Sequence, residues 1–230
     1  TKKKYDSFMA EHAQIVEKTE DTTTYALQPD NVYRSKRLRH QYDNFRHAHR
    51  LIPRHFVTSL VSQYDSFLGQ LIRFMFSVKP EMLNGSDKAL PFTDLVKFPD
   101  IDAARAFIIE KEVEGVIRKS HADQFAWLKE KLGTPFNKDL PCWPSFVELT
   151  ERRNLFVHTD GVVSSQYMTV CAQHKVPVRE GLAVGAQLEV PNDYYQEAYK
   201  CIFEIGVKMA HIIWRRLCPD LLDDSDTHII

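Results

Sequence analysis

The spacing of apolar residues between Phe56 and Val78 constrains the fold more than any other feature of this sequence. Apolar side chains recur every three or four residues, at positions 56, 60, 64, 68, 71, 75 and 78. This period places them on one face of an α-helix, which we expect to end before Pro80. Such a face has to be covered by other secondary structure. Only 8 glycines occur in 230 residues, which disfavours an all-β fold with many tight turns.

The remainder of the chain contains the start and stop residues of further helices. Asp and Ser are favoured N-caps, Pro is tolerated in a first turn, and Gly often follows a helix. Candidate helices run from Asp100 or Asp102 to about Lys119, from Ser120 to Gly133, from Pro144 to Asp160–Gly161, from Ser164 for a short stretch, and from Asn192 to Leu217. We therefore predict an all-α bundle with an N-terminal arm and a small irregular excursion near 175–191.

The composition limits the classes of partner. Hydrophobic residues make up 43% and charged residues 27%, and the net charge is −1, so no bulk charge favours a nucleic acid or a membrane. The 4 cysteines are widely spaced without a C-x-x-C pair, which indicates neither a thiolate metal site nor a disulfide framework. No apolar run reaches membrane-spanning length, and no apolar segment follows the opening TKKKYDSF. We expect a cytoplasmic protein without a membrane partner.

Charge is instead concentrated near the N-terminus. Residues 1–33 are polar and are expected to form an arm or a marginal helix. The stretch 34–55 holds six arginines, one lysine and four histidines against one acid, Asp43, and the tail 219–230 is acidic. The basic stretch is either a solvated helix face or a surface that follows a phosphate backbone. Pro53 is expected to interrupt a helix at this point.

Two adjacent arginines lie in ERRNLFVHTDG, residues 151–161. On a helical wheel with Phe146 at zero, Arg152 falls on the polar side, one turn after Glu148. That spacing predicts a surface ion pair worth about 0.3 kcal/mol. Arg153 falls in the middle of the apolar arc. A guanidinium is rarely placed there unless it is paired or functional, because its desolvation costs several kcal/mol.

Asn154 and His158 lie at the edge of the same arc, so one face of this helix presents an Arg, an amide and a His. His158 is able to take up or release a proton near neutral pH. Arg153 offers a planar set of donors to oxygens that carry negative charge. Two structural alternatives remain open here: His158 caps the helix end, or Arg153 is a buried interface residue.

The stretch RNLFVH has the R-N-x-x-x-H form of the R-x4–6-H motif and resembles HEPN domains. The longer ELTERRNLFVHTDGVVSSQY is similar to small bacterial HEPN proteins of toxin–antitoxin and anti-phage loci. Three more segments, LVSQYDSFLGQLIRFMF, IIEKEVEGVIRKSHADQFAWL and NDYYQEAYKCIFEIG, occur in the family's order. The resemblance covers about residues 55–217. It implies a HEPN helical bundle over 55–218. Together with the charge pattern, this divides the chain into an N-terminal arm and basic segment over 1–54, the bundle, and an acidic tail over 219–230.

The resemblance also implies a function. HEPN domains are all-α bundles that dimerise about the motif helices, and many are ribonucleases that use no metal and no cofactor. It assigns catalysis to Arg153, Asn154 and His158. The basic stretch 34–55 lies outside the resemblance, and its charge pattern predicts RNA binding by Arg46, Arg50 and Arg54. The expected partners are RNA, with tRNA as one candidate, a second copy joined through the 144–161 helix, and a neutralising antitoxin or regulatory protein.

One departure from the family concerns its control. His158 is followed by Thr159–Asp160 instead of the x-Tyr of the subgroup whose antitoxin adenylylates that tyrosine. That form of control is therefore not expected here. The alternative interpretation is a non-catalytic HEPN module that binds RNA, a nucleotide or a partner protein and keeps the motif for structure.

Overall fold

A computed structural model describes residues 1–85, 90–133, 140–191 and 193–221. Within these residues the chain forms eight α-helices and one two-stranded sheet. The fold is all-α with an N-terminal arm, which confirms the prediction made from the sequence. The chain divides into two compact units, Thr1–His55 and Phe56–Ile230. The part of the acidic tail from position 222 onwards lies outside the described residues.

The N-terminal unit contains a hairpin that the sequence pattern did not predict. Helix α1 spans Lys2–His12, and the strands β1, Ala13–Lys18, and β2, Thr23–Leu27, pair antiparallel. The amide of Thr19 donates to the carbonyl of Thr22 over 2.8 Å and closes the connecting turn. β-Branched residues suit strands, but in so short and polar a segment this preference did not stand out.

Helix α2 spans Pro29–Val78 and continues through Pro53. The expectation that Pro53 would interrupt the helix is therefore wrong. Proline removes one backbone donor and disfavours a helix interior, but helical structure persists on both sides of it. The division between the two units follows two residues later, at His55–Phe56. The end of α2 at Val78, before Pro80, agrees with the sequence pattern.

Six helices follow α2 within the second unit. They are α3 (Phe92–Leu95), α4 (Ile101–Ile117), α5 (His121–Leu132), α6 (Trp143–His158), α7 (Ser165–Gln173) and α8 (Tyr194–Leu217), with 3₁₀ turns over Pro80–Gly85 and Pro219–Leu221. The predicted N-caps are confirmed, since the side chains of Asp100, Ser120 and Ser164 each accept a backbone N–H from the first helical turn. Gly133 ends α5 with a φ of 68°, in the left-handed region that glycine adopts readily.

The core of the second unit centres on packed aromatic rings. Phe125 of α5 lies 4.8 Å from Trp143, and Tyr64 of α2 lies 5.0 Å from Phe146, measured between ring centroids. Ile205 and further aliphatic residues of α8 complete the cluster. Because Trp143 and Phe146 begin α6 inside this core, the first turns of α6 are held on several sides.

The segment that follows α7 is irregular, as expected near 175–191, and returns to the end of α6. The amide of Leu188 donates to the carbonyl of Gly161, and that of Val163 donates to the carbonyl of Ala186, each over 2.9 Å. Val162 forms an isolated bridge with Gln187. These bonds set the position of the chain directly after α6.

Candidate active site

The surroundings of α6 change along its length. In its first half, residues 146–150 are all buried, on every side of the helix. In its second half only Leu155 is buried, whereas Val157 is 51% exposed and His158 is exposed. Arg153, Asn154, Val157 and His158 share one side of the helix at about 100° per residue, and we call this side the outer face of α6. On the helical wheel Val157 falls in the apolar arc around Phe146 and Leu155 on the polar side, whereas the structure exposes Val157 and buries Leu155.

Glu148 and Arg152 are not a surface pair, contrary to the sequence prediction. The side chains of Arg152 and Glu148 are only 13% and 11% exposed. Arg152 Nε donates to Glu148 Oε1 over 2.7 Å, and another nitrogen of the guanidinium donates to the carbonyl of Glu189 over 2.6 Å. The guanidinium carbon lies 4.2 Å from the centroid of the Tyr194 ring. Helices α7 and α8 cover this side of α6, which a wheel drawn for one helix does not show.

Two tyrosines, the buried Tyr167 and the half-buried Tyr194, complete the hydrogen bonding of Glu148. The hydroxyl of Tyr167 donates to Oε1 over 2.7 Å and that of Tyr194 donates to Oε2 over 2.6 Å. Burial, and after it the adjacent carboxylate, raises the pKa of both tyrosines, so each remains a protonated donor. Burial alone would lower the pKa of Arg152, but Glu148 together with Tyr194 and Tyr167 raises this pKa overall. These four residues therefore form a satisfied structural network.

Arg153 is half-buried, with 25% of its side chain exposed. One terminal nitrogen donates to Asn154 Oδ1 over 3.1 Å, and the other lies 3.5 Å from Asp65 Oδ2, at the long limit of a hydrogen bond. Its Nε is buried and has no partner among the described residues. Since a guanidinium carries five N–H donors, this one has donors left for a ligand.

Asn154 connects Arg153 to Glu151, because its amide nitrogen lies 3.4 Å from Glu151 Oε1. Burial raises the pKa of Glu151, and the charge of His121 and the bond from Asn154 oppose that rise. Asn154 thus lies in a partly buried polar cluster. The structure places Arg153 and Asn154 in direct contact, as residues of one site would be.

His158 lies at the last residue of α6, and its side chain makes no hydrogen bond or ion pair within the described part of the chain. Backbone amides close the end of α6: those of Thr159 and Gly161 both donate to the carbonyl of Leu155 over 2.9 Å. The structural alternative in which His158 caps the helix is therefore not what the structure shows. No hydrogen bond joins His158 to Arg153 in the described residues.

The Thr159–Gly161 turn shapes the end of α6. Asp160 and Gly161 have φ values of 52° and 84°, in the left-handed region that glycine adopts readily and aspartate adopts more often than most other residues. A Cβ on Gly161 would lie 2.9 Å from Gln187 Nε2 and 3.1 Å from the Phe156 ring. Gln187 Nε2 also donates to the carbonyl of Asp160 over 2.6 Å. This packing holds the backbone that carries His158.

Sequence reasoning missed a histidine beside Arg153. His121 Nε2 lies 3.1 Å from Asp65 Oδ1, and the same carboxylate contacts Arg153 through Oδ2. Asp65 belongs to α2 and His121 is the first residue of α5, so three helices meet here. Their sequence separations of 56 and 88 residues explain why no local motif indicated this cluster.

The arginines predicted to bind RNA differ in exposure. Arg46 and Arg50 are exposed on α2. Arg54 is only 5% exposed, and this burial disfavours its predicted role in RNA binding. A phosphate group needs access to the guanidinium, and the charge pattern alone did not indicate which side of α2 is covered at this position.

Metal ligands and membrane-spanning helices were sought among the described residues, and the chain was compared with known proteins. In the ranges that the structure describes, no three His, Cys, Asp or Glu side chains are grouped as metal ligands would be. None of the helices described there combines the length and the apolar character needed to cross a bilayer. No family model, no curated protein and no solved structure matches the chain, so the HEPN resemblance rests on the residues of the chain itself.

Proposed function

We propose that the protein is an endoribonuclease that cleaves RNA by attack of the 2′-hydroxyl on the adjacent phosphorus, without a metal ion. The observation that carries this proposal is the outer face of α6. It presents Arg153 with unused donors, Asn154 bound to it, and an exposed His158 without a partner. Arg153 is 25% exposed and its contact with the Asp65 carboxylate is long, at 3.5 Å, so its terminal nitrogens are suited to bind a phosphate.

The proposed chemistry uses each of these side chains. His158 accepts the proton of the 2′-hydroxyl, and the resulting oxygen attacks phosphorus while the bond to the 5′-oxygen breaks. Arg153 donates to the non-bridging oxygens, on which negative charge grows in the transition state. Asn154 holds the guanidinium in position. The products are a 2′,3′-cyclic phosphate and a 5′-hydroxyl, and DNA is excluded because it lacks the nucleophile.

The exposed arginines of the basic stretch would supply affinity. Arg46 and Arg50 lie one helical turn apart on α2 and are exposed, so they are suited to successive phosphates of one strand. RNA, with tRNA as one candidate, is therefore the proposed substrate, and the cytoplasm is the proposed place of action.

A second copy of the chain and a regulatory protein are further proposed partners. Val157 is 51% exposed between Arg153 and His158 on the outer face of α6. An apolar side chain in that position suits a two-fold contact that would bring two copies of the residue set together. The HEPN resemblance supports a toxin or an anti-phage or stress effector, whose activity a neutralising protein would hold in check.

The test is incubation of the purified protein with mixed tRNA and other RNAs in EDTA, followed by analysis of the product ends. Cleavage that leaves 2′,3′-cyclic phosphate and 5′-hydroxyl ends supports the proposal. Ends of the opposite kind, or cleavage only after a metal is added, would contradict it. Binding of RNA without cleavage would replace it with the non-catalytic binding module.

A further inference from the structure

The polar cluster beside Arg153 contains a second group able to transfer a proton. We propose that His121, held by Asp65, is the general acid of the same cleavage reaction and protonates the departing 5′-oxygen. This inference rests on the proposed ribonuclease function and adds a catalytic residue to its site. Its basis is the contact of one carboxylate with both His121, at 3.1 Å, and Arg153, at 3.5 Å.

The ring of His121 is oriented by its neighbours. An ionised carboxylate only accepts hydrogen bonds, so Nε2 is the donor to Asp65, and Nδ1 is the nitrogen left for a substrate. Nδ1 has no partner among the described residues. The rings of Tyr64 and Phe146 lie 5.8 and 5.7 Å from the imidazole, between centroids, and limit its rotation. The side chain is 11% exposed, so it is not fully enclosed.

Charged groups face His121 from three helices. Asp65 of α2 and Glu151 of α6 are acidic, whereas Arg153 of α6 and the start of α5 carry positive charge. A general acid has to carry a proton before the reaction and release it during the reaction.

The reaction itself requires two proton transfers. One proton leaves the 2′-hydroxyl as that oxygen bonds to phosphorus, and His158 accepts it. Another proton reaches the 5′-oxygen as its bond to phosphorus breaks, and Nδ1 of His121 supplies it. After one turnover His158 is protonated and His121 is neutral, and exchange with water restores both. Arg153 lies next to this second histidine, where the phosphate would be bound.

A substrate with a better leaving group distinguishes an acid from a structural histidine. In a dinucleotide whose bridging 5′-oxygen is replaced by sulfur, the departing thiolate needs no proton. His121→Gln keeps an amide donor for Asp65 but cannot act as an acid. We expect this variant to cleave ordinary RNA about 10²–10⁴-fold more slowly. We expect it to cleave the sulfur substrate within about tenfold of the wild-type rate, because only the acid has been removed.

Two further variants define the comparison. His158→Ala should lose activity on both substrates, because the base is needed in each case. His211→Gln replaces a half-buried histidine of α8 outside the cluster and should leave both rates unchanged. Melting temperatures check that each variant is folded. If His121→Gln does not fold, the wild-type protein provides the test: at high pH its rate should fall with ordinary RNA and not with the sulfur substrate.

Three outcomes would overturn the assignment. If His121→Gln cleaves ordinary RNA at the wild-type rate, His121 is not the acid. If the folded variant loses both substrates equally, its role is positional or structural, and an acid from a second copy becomes the explanation. If the wild-type protein cleaves neither substrate, the proposed function fails as well, so the wild-type control separates the two failures.

Discussion

Replacement of Arg152 by alanine should destabilise the protein strongly, although a helical wheel places Arg152 at the surface. The substitution removes the 2.7 Å bond to Glu148, the 2.6 Å bond to the Glu189 carbonyl and the contact with the Tyr194 ring. It also leaves the carboxylate of Glu148, only 11% exposed, without its counter-charge. Breaking a buried pair in this way costs about 3–5 kcal/mol. A surface pair of the same spacing would cost only about 0.3 kcal/mol.

Equilibrium unfolding in urea measures this difference. The midpoint should fall without a change in the slope, since the same surface is exposed on unfolding. In a domain of this size, about 3–5 kcal/mol corresponds to a loss of roughly 6–20 °C in melting temperature. Arg153→Ala is the matched control, because Arg153 is the adjacent residue, is more exposed and lacks a short bond to a carboxylate. We expect it to cost less than about 1.5 kcal/mol.

A double-mutant cycle isolates the pair. Glu148→Gln alone should also destabilise, because the amide is a poorer partner for Arg152 and for the hydroxyls of Tyr167 and Tyr194. The combined variant should lose less than the sum of the two single changes. If Arg152→Ala costs less than about 1 kcal/mol, or if the two changes are additive, the buried network is not what holds this part of α6.

Four other predictions follow from the site and from the turn after α6. His158→Ala and Arg153→Ala should each reduce the rate of RNA cleavage about 10²–10⁴-fold. Arg153→Lys should not keep the wild-type rate, because a point charge lacks the planar set of donors. A folded His158→Ala protein that cleaves RNA at the wild-type rate would refute the catalytic assignment. Replacing Arg46 and Arg50 by Gln should weaken RNA binding and flatten its dependence on salt, and unchanged binding across a salt series would show that this stretch is only a solvated face. Light scattering at micromolar concentration should give twice the mass of the chain, and an active monomer would exclude the dimer. Gly161→Ala should cost about 1–2 kcal/mol by unfolding in urea, because its φ is 84° and the added Cβ meets Phe156, and a neutral effect would contradict this account.

The boundaries of most helices followed from the sequence because their causes are local. Asp100, Ser120 and Ser164 each bond to an amide within the first turn of the helix they begin. Gly133 ends α5 because its own backbone adopts a positive φ. Such interactions join residues a few positions apart, so the order of residues is sufficient to predict them. Pro53 is the exception, because the helix continues on both sides of the position where its ring removes a backbone bond.

The sequence also determined which residue types are available for chemistry on α6. Arg153, Asn154 and His158 lie on one side of α6 because an α-helix has 3.6 residues per turn. This arrangement does not depend on which elements pack against the helix. What covers that side is a different question. The wheel treated the arc around Phe146 as buried throughout, whereas the structure buries all sides of the first turns and exposes Val157 and His158 at the end.

Only the tertiary structure decided the environments of the two adjacent arginines. Arg152 is largely covered because α7 and α8 bring Tyr167 and Tyr194 against Glu148. Arg153 contacts Asp65, which lies 88 residues away in the chain. Asp65 in turn contacts His121, 56 residues away from it. A helical wheel contains the angles of one helix and no information about its neighbours. Burial and pairing depend on those neighbours, so the same two side chains acquired a structural and a candidate catalytic environment only when the helices packed.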